Sequence, residues 1–108
     1  MRRTPVDLYR MGNAVSARLE HLRAKDIDLY EDGDKIWVAA NSGGISTFSV
    51  RGNGRNWWKL DREAEIPNEL RVVNDYGEHW LWEPSYSMPL DEYQQALQSV
   101  GEQFYKIS

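Results

Sequence analysis

The chain has 108 residues, no cysteine and a formal net charge of −4 at pH 7. This length is enough for one domain with a single hydrophobic core and too short for two. A hydrophobic share of 41% that includes 5 Trp, 6 Tyr and 2 Phe excludes a wholly disordered chain. We therefore expect a single domain that spans residues 1–108.

Composition also excludes several kinds of site. Without cysteine there is no disulfide scaffold or thiolate zinc site, and the two histidines, His21 and His79, are too few for a histidine-only metal cage. No stretch approaches the roughly 18 consecutive apolar residues of a membrane span. No apolar run follows the opening Met1-Arg2-Arg3, so we interpret it as a mature N-terminus of a cytoplasmic protein.

Charge is distributed unevenly along the chain. Residues 1–25 hold six Lys or Arg against two acids, whereas residues 72–108 hold Lys106 alone against six acids. The acidic end argues against direct binding of nucleic acid, although a nucleotide-sized substrate stays open. A local positive cleft near the N-terminus stays open as well.

The first elements are predicted near the N-terminus. Pro5 disfavours a helical start, and Val6–Met11 has the character of a strand. Asn13 is a candidate N-cap for an N-terminal helix of two to three turns. Apolar residues then recur at helical spacing: Val15, Leu19 and Leu22.

Five further strands are indicated by β-branched and aromatic runs between turn signals. They are Lys35–Ala39, Ile45–Val50, Trp57–Leu60, Leu70–Asn74 and His79–Glu83. Alternation along the second of these places Ile45 and Thr47 on one face of the sheet and Ser46 and Phe48 on the other. We expect most of the five tryptophans to lie in the core.

The C-terminal segment predicts a second helix. Pro89 suits its first position, and Asp91 and Glu92 complement the dipole of its first turn. The apolar stripe comprises Leu90, Tyr93, Leu97, Val100 and Phe104. The expected fold class is α+β: a twisted, mostly antiparallel sheet with an N-terminal and a C-terminal helix packed against it.

Three features of the sequence are candidates for chemistry, and each also has a structural explanation. Gly43-Gly44 permits a close backbone approach to a ligand, or is a glycine-rich connection. Arg10 can bind a phosphate through its fork, or is an exposed charge at a strand end. His79 and Glu83 lie four apart, about 13 Å along one strand, so they do not touch each other directly.

A series of fragments in order resembles a known family. The fragments are Leu8-Tyr9-Arg10, Arg23–Ile27, Gly43–Phe48, Ile66–Val72, His79-Trp80, Pro84 and Met88. The series resembles the small type VI secretion effector toxins, whose fold is similar to ADP-ribosyltransferase toxins, from Leu8 to about Phe104. The GG-x-S-x-F strand and the IP-x-x-L-x-V segment are its more specific parts.

The resemblance implies an ADP-ribosyltransferase-like fold and a cleft that binds NAD as substrate between two abutting sheets. It implies that Arg10 holds a phosphate or ribose and that Ser46 supports the nicotinamide ribose. The implied catalytic residues are Arg10, Ser46, His79 and Glu83. The implied NAD contacts are Tyr9, Arg10, Gly43, Gly44, Ser46 and Thr47.

The sequence departs from ADP-ribosyltransferases in its acid. They place a glutamate on a late strand, and the predicted strands of this chain carry no ExE or QxE pair, so Glu83 is the nearest candidate. Two functions therefore stay open: a toxin enzyme that transfers or hydrolyses NAD, and a non-catalytic interaction domain that keeps the fold. The resemblance further implies action in a cytoplasm, delivery without a signal peptide and an immunity or antitoxin protein as partner.

Overall fold

Short strands dominate the chain, and one helix follows them near the C-terminus in a computed structural model that describes residues 2–108. The elements are β1 (Leu8–Met11), β2 (Leu29–Asp32), β3 (Lys35–Val38), β4 (Ile45–Phe48), β5 (Trp57–Leu60), β6 (Leu70–Tyr76), β7 (His79–Pro84), β8 (Met88–Pro89), α1 (Leu90–Gly101) and β9 (Tyr105–Lys106).

The strands form two antiparallel sheets. The larger sheet has the order β6-β7-β4-β1-β5-β9, and the smaller has the order β2-β3-β8. Helix α1 packs on β3 and β8 of the small sheet and on β6 of the large one, so it joins the two. The expected α+β class with mostly antiparallel sheets and a C-terminal helix is confirmed.

The core lies between the helix and one face of the large sheet. On β4, Ile45 and Thr47 are buried, whereas Ser46 and Phe48 lie on the other face, as the alternation predicts. Trp82 is fully buried, and the Tyr93 hydroxyl donates a hydrogen bond of 2.6 Å to its backbone carbonyl. Burial raises the pKa of the Tyr93 phenol, so it stays protonated as this donor.

The C-terminal helix begins after Pro89, with Asp91 and Glu92 in its first turn. The predicted stripe is largely confirmed, because Tyr93, Leu97 and Val100 are buried. Leu90 is half-buried, and Phe104 is buried beyond the end of the helix. The helix ends at Gly101, the residue that the sequence marks as its weakest position.

The predicted N-terminal helix is wrong. The side chain of Asn13 accepts hydrogen bonds from the backbone N–H groups of Val15 and Ser16 at 2.9 and 2.8 Å, which close a turn. Arg18 has a φ of 56°, in the left-handed region that a helix cannot contain. Val15, an expected core residue, is 82% exposed. Local side-chain bonds to the backbone therefore outcompete the helix that the apolar spacing suggests.

The six predicted strands are confirmed, five of them with shifted ends, and three short strands were not predicted. Strand β2 was missed because all four of its residues are exposed and it contains two acids. Strand β8 was missed because it ends in Pro89, and β9 because it has two exposed residues. These three strands are short edge pieces without an apolar alternation.

Candidate active-site cleft

A cleft opens beside the contact between β1 and β4 in the large sheet. These neighbouring strands share the single register pair Tyr9 and Phe48, and the cleft lies where they no longer pair. Its volume is about 330 Å³, at the lower end of small-molecule sites. Its lining residues are Arg10, Met11, Gly12, Arg18, His21, Arg23, Ser46 and Phe48.

Arg10 crosses from β1 to β4 and fixes one wall of this cleft. Its Nη1 donates to the backbone carbonyl of Ser46 at 2.7 Å, and its Nη2 donates to that of Arg18 at 3.2 Å. Its Nε is buried and has no hydrogen-bond partner in the described chain. Burial lowers the pKa of Arg10, and the nearby Asp26 carboxylate opposes that effect. The alternative of an exposed strand-end charge is therefore wrong.

Three further nitrogen-bearing side chains reach the cleft from the N-terminal loop. Arg18 Nη2 donates to His21 Nδ1 at 3.0 Å, which makes that nitrogen an acceptor. Arg23 is paired with Asp26 at 3.1 Å. The described residues that line the cleft include no carboxylate. The cleft is therefore a positive site, as the basic N-terminal segment allows.

Ser46 and His79 meet on the cleft face of the sheet. Strand β4 pairs with β7, with Ser46 opposite Leu81 and Phe48 opposite His79, so Ser46 and His79 are diagonal neighbours on one face. The distance between Ser46 Oγ and His79 Nε2 is 2.9 Å. The structure thus brings together Arg10, Ser46 and His79, which lie far apart in the sequence.

Asp75 completes this group and was not predicted from the sequence. His79 Nδ1 lies 2.6 and 2.8 Å from the two carboxylate oxygens of Asp75. The register of β6 shifts between Asn74 and Tyr76, so Asp75 is an extra residue that a β-bulge turns towards the imidazole. Carboxylate oxygens only accept, so the proton of the neutral imidazole is on Nδ1, and Nε2 accepts from Ser46.

Two aromatic rings hold the imidazole of His79 in place. The ring of Tyr76 stacks on it with centroids 4.9 Å apart, and that of Phe48 lies tilted at 5.4 Å. The side chain of His79 is 14% exposed and that of Asp75 is 30% exposed. The ring is therefore oriented by packing as well as by its hydrogen bonds.

Glu83, the predicted acid, has another partner. Its carboxylate accepts a hydrogen bond of 2.8 Å from Arg71 Nε, and Arg71 Nη2 also donates to Asn41 Oδ1 at 2.5 Å. The residues that line the cleft do not include Glu83. The structure does not bring it together with Arg10 and Ser46.

The remaining predicted NAD contacts lie outside the cleft lining. Thr47 is fully buried, and its hydroxyl donates to the Trp80 carbonyl at 3.0 Å. A Cβ on Gly43 would stand 2.2 Å from the Asp26 carbonyl, and one on Gly44 would stand 2.3 Å from the Trp82 carbonyl. Lys59 Nζ lies 5.9 Å from the centre of the Tyr9 ring. Both glycines thus allow close packing of the backbone.

Four side chains of the candidate site were not predicted from the sequence: Arg18, His21, Arg23 and Asp75. The basic excess of residues 1–25 indicated positive charge near the first three, but the predicted N-terminal helix gave no reason to expect them in one cleft. The signal for Asp75 was the Asn74–Gly77 turn between two predicted strands, which leaves Asp75 four residues before His79.

Comparison with protein-family models gives the class of this protein, an ADP-ribosyltransferase toxin. The matching model describes the Tse2 ADP-ribosyltransferase toxin and covers residues 6–106. The chain therefore belongs to the Tse2 family of type VI effector toxins, and the resemblance seen in the sequence is confirmed. No curated protein and no solved structure matches the chain.

The described residues also bear on membrane spans and metal sites. Among helices in residues 2–108, none combines the length and the apolar character needed to cross a bilayer. Over the same residues, no group of three or more His, Asp or Glu is arranged to hold a metal ion.

Proposed function

We propose that this chain is a toxin enzyme that takes NAD as substrate and cleaves its nicotinamide–ribose bond in the cleft between β1 and β4. The observation that carries the proposal is the hydrogen bond of 2.7 Å from Arg10 Nη1 to the backbone carbonyl of Ser46, which holds a desolvated cation beside a serine that lines the cleft. Family membership supplies the chemistry, and the cleft supplies residues that suit it.

Charge supports an anionic ligand in this cleft. The hydrogen-bond partners of the Arg10 guanidinium are two neutral carbonyl groups, so they leave its positive charge uncompensated for a phosphate. Arg18 adds positive charge at the rim, whereas the charge of Arg23 is paired with Asp26. In a desolvated site such cations attract a phosphate more strongly than they would in water.

The proposed division of roles follows from these positions. Arg10 binds the diphosphate or ribose, and Ser46 hydrogen-bonds the nicotinamide ribose. Cleavage builds positive charge on the ribose, and a ribose held in one orientation lowers that barrier. The proposal gives Glu83 no role, because Arg71 binds its carboxylate.

We further propose that the protein acts in the cytoplasm of a target bacterium, as a type VI effector does. A neutralising immunity or antitoxin protein follows as partner, because the producing cell must survive its own enzyme.

Expression in a bacterial cytoplasm and an assay with purified protein test the proposal together. Wild type is expected to inhibit growth, bind NAD by calorimetry and release nicotinamide. Ser46→Ala and Arg10→Lys are expected to lower nicotinamide release, because the first removes the hydroxyl and the second removes the fork while keeping the charge. Lysine is preferred to alanine because Arg10 also ties the Ser46 and Arg18 carbonyls together.

Arg55→Ala is the matched control, since Arg55 is an exposed arginine in the loop before β5. It is expected to retain growth inhibition and nicotinamide release. A wild-type protein that is harmless at high expression and neither binds nor cleaves NAD contradicts the proposal. The non-catalytic interaction domain then takes its place.

A further inference from the structure

The chain of hydrogen bonds from Asp75 through His79 to Ser46 has a use that the family assignment does not supply. We propose that it is a proton relay that activates an oxygen acceptor, either water or a hydroxyl group, for attack on the ribose. This inference rests on the proposed NAD chemistry and names the acceptor class and the base of the same site.

The direction of the relay follows from which atoms can donate. Asp75 accepts at both carboxylate oxygens, so His79 carries its proton on Nδ1 and presents the lone pair of Nε2 to Ser46. Ser46 then donates its proton to Nε2 and leaves its oxygen lone pairs available in the cleft. An incoming O–H group can donate a hydrogen bond to Ser46 Oγ. The serine oxygen, coupled to His79, then acts as the base that takes the proton of the acceptor.

The reaction balances without another reagent. The acceptor oxygen bonds to the anomeric carbon of the ribose while the bond from that carbon to the nicotinamide nitrogen breaks. The electron pair of the broken bond leaves with nicotinamide. The acceptor proton passes to Ser46 Oγ as the proton of Ser46 passes to His79 Nε2, and the negative charge of Asp75 stabilises the resulting imidazolium.

The charges of the cleft select the kind of acceptor. Arg10, Arg18 and Arg23 line it, and its described lining contains no carboxylate. A guanidinium acceptor would be repelled by these cations and would find no carboxylate in the described lining to pair with its charge. Water and hydroxyl groups carry no charge, and each has to lose only one proton, which the relay accepts.

Asp75 is a positioning residue in this scheme, because it acts through His79 and does not line the cleft. The bulge at Asp75 and the stacked ring of Tyr76 fix the imidazole from the side away from the cleft. Asn74 closes the same hairpin through hydrogen bonds to the carbonyls of Gly77 and His79 at 3.0 and 2.8 Å. These hydrogen bonds therefore join Asp75 and His79 in one hairpin.

The test compares Asp75→Asn with wild type. Kcat for nicotinamide release is expected to fall by about 10²- to 10⁴-fold, because an amide favours the wrong tautomer of His79. KM and the calorimetric affinity for NAD are expected to stay unchanged, since Asp75 does not line the cleft. Proton NMR of the ligand-free protein is expected to show a downfield Nδ1–H resonance of His79 that Asp75→Asn abolishes.

Glu78→Gln is the matched control, because Glu78 is a carboxylate on the same hairpin that hydrogen-bonds Ser49 and not His79. It is expected to keep the NMR resonance and the full rate. His79→Gln is a second variant that removes the base and must also lose kcat with NAD affinity retained. Unchanged rates in Asp75→Asn and His79→Gln overturn the relay.

Added nucleophiles identify the acceptor class. Methanol is expected to divert product from free ADP-ribose to the methyl riboside, whereas methylguanidine is expected to give no adduct. Free ADP-ribose from NAD alone indicates water as acceptor, and a labelled macromolecule indicates a hydroxyl on it. A methylguanidine adduct overturns the oxygen acceptor. A protein that shows the NMR resonance but neither binds nor cleaves NAD overturns the proposed function and leaves the hydrogen-bonded array established.

Discussion

The two faces of strand β4 differ in how their polar groups are used. On the core face, Thr47 is fully buried and its hydroxyl donates a hydrogen bond to the Trp80 carbonyl. On the cleft face, the hydroxyl of Ser46 meets His79, and the Ser46 carbonyl is bound by Arg10. Adjacent residues with the same functional group thus belong to different environments, because a strand alternates its side chains.

This difference separates stability from activity along one short strand. Core-face groups are satisfied inside the protein, so replacing them changes the free energy of unfolding. Cleft-face groups keep a donor or a lone pair for a ligand, so replacing them changes binding or rate. Variants on each face test whether the separation holds.

The largest expected effect on stability lies on the core side, at Leu97 of α1. Leu97 is fully buried, and Leu97→Ala is expected to destabilise the protein by about 2–5 kcal/mol, as large-to-small core changes do. Thermal or denaturant unfolding of purified protein measures the loss. Gln98→Ala, at an exposed neighbour, serves as control, and a melting curve unchanged in Leu97→Ala contradicts the assignment of this core.

A smaller effect is expected from the two adjacent hydroxyls. Thr47→Val keeps the shape but removes a buried hydrogen bond, so it is expected to cost about 0.5–1.5 kcal/mol and to leave nicotinamide release unchanged. Ser46→Ala is expected to show the reverse, with a nearly intact melting curve and a lower rate. If Thr47→Val loses activity at wild-type stability, the proposed separation of the two faces fails.

The smallest effect is expected at Asp7, just before β1. A hydrogen bond from the Arg62 backbone N–H lowers the pKa of Asp7, and Lys59 contributes. The folded state therefore gains stability that is present above the ordinary Asp value of 3.8 and is lost as pH falls below it.

Asp7→Asn is expected to reduce the acid-dependent loss of the free energy of unfolding by at most about 1 kcal/mol, because the ion pair of Asp7 with Lys59 is partly exposed to solvent. Denaturant unfolding measured from neutral pH down to acid checks the change. NAD cleavage is expected to stay at the wild-type level, since Asp7 does not line the cleft. An acid dependence identical to wild type would remove Asp7 from the account of stability.

Sequence patterns predicted the parts of the fold that one buried face dictates. Strand β5 matches its predicted bounds, and the stripe of α1 follows helical spacing. The N-terminal loop could not be predicted in this way, because its shape depends on the bonds of Asn13 and the left-handed Arg18. Apolar spacing carries no information on such local competition.

The candidate site was predicted in part for a similar reason. Arg10, Ser46 and His79 were found through the family resemblance, and the structure brings them together. Asp75 depended on a bulge that adds one residue to β6, and register shifts of this kind leave no periodic signal. Glu83 was chosen because it is a glutamate on a late strand, and its ion pair with Arg71 was not visible in the sequence.

The close backbone approach at Gly44 fixes the register of β4 against β7. Gly44 lies so close to the backbone of Trp82 that a Cβ on it would stand 2.3 Å from the Trp82 carbonyl oxygen. That oxygen also accepts a hydrogen bond from the Tyr93 hydroxyl. If β4 slipped by one position along β7, either Ile45 would bring a side chain to this place or Ser42 would bring one to the place of Gly43, where a Cβ stands 2.2 Å from the Asp26 carbonyl oxygen. Every side chain of β4 would also change face. Ser46 would then turn into the core, and a folded chain without the relay would result. A residue that has no side chain thus decides which hydroxyl of β4 reaches His79.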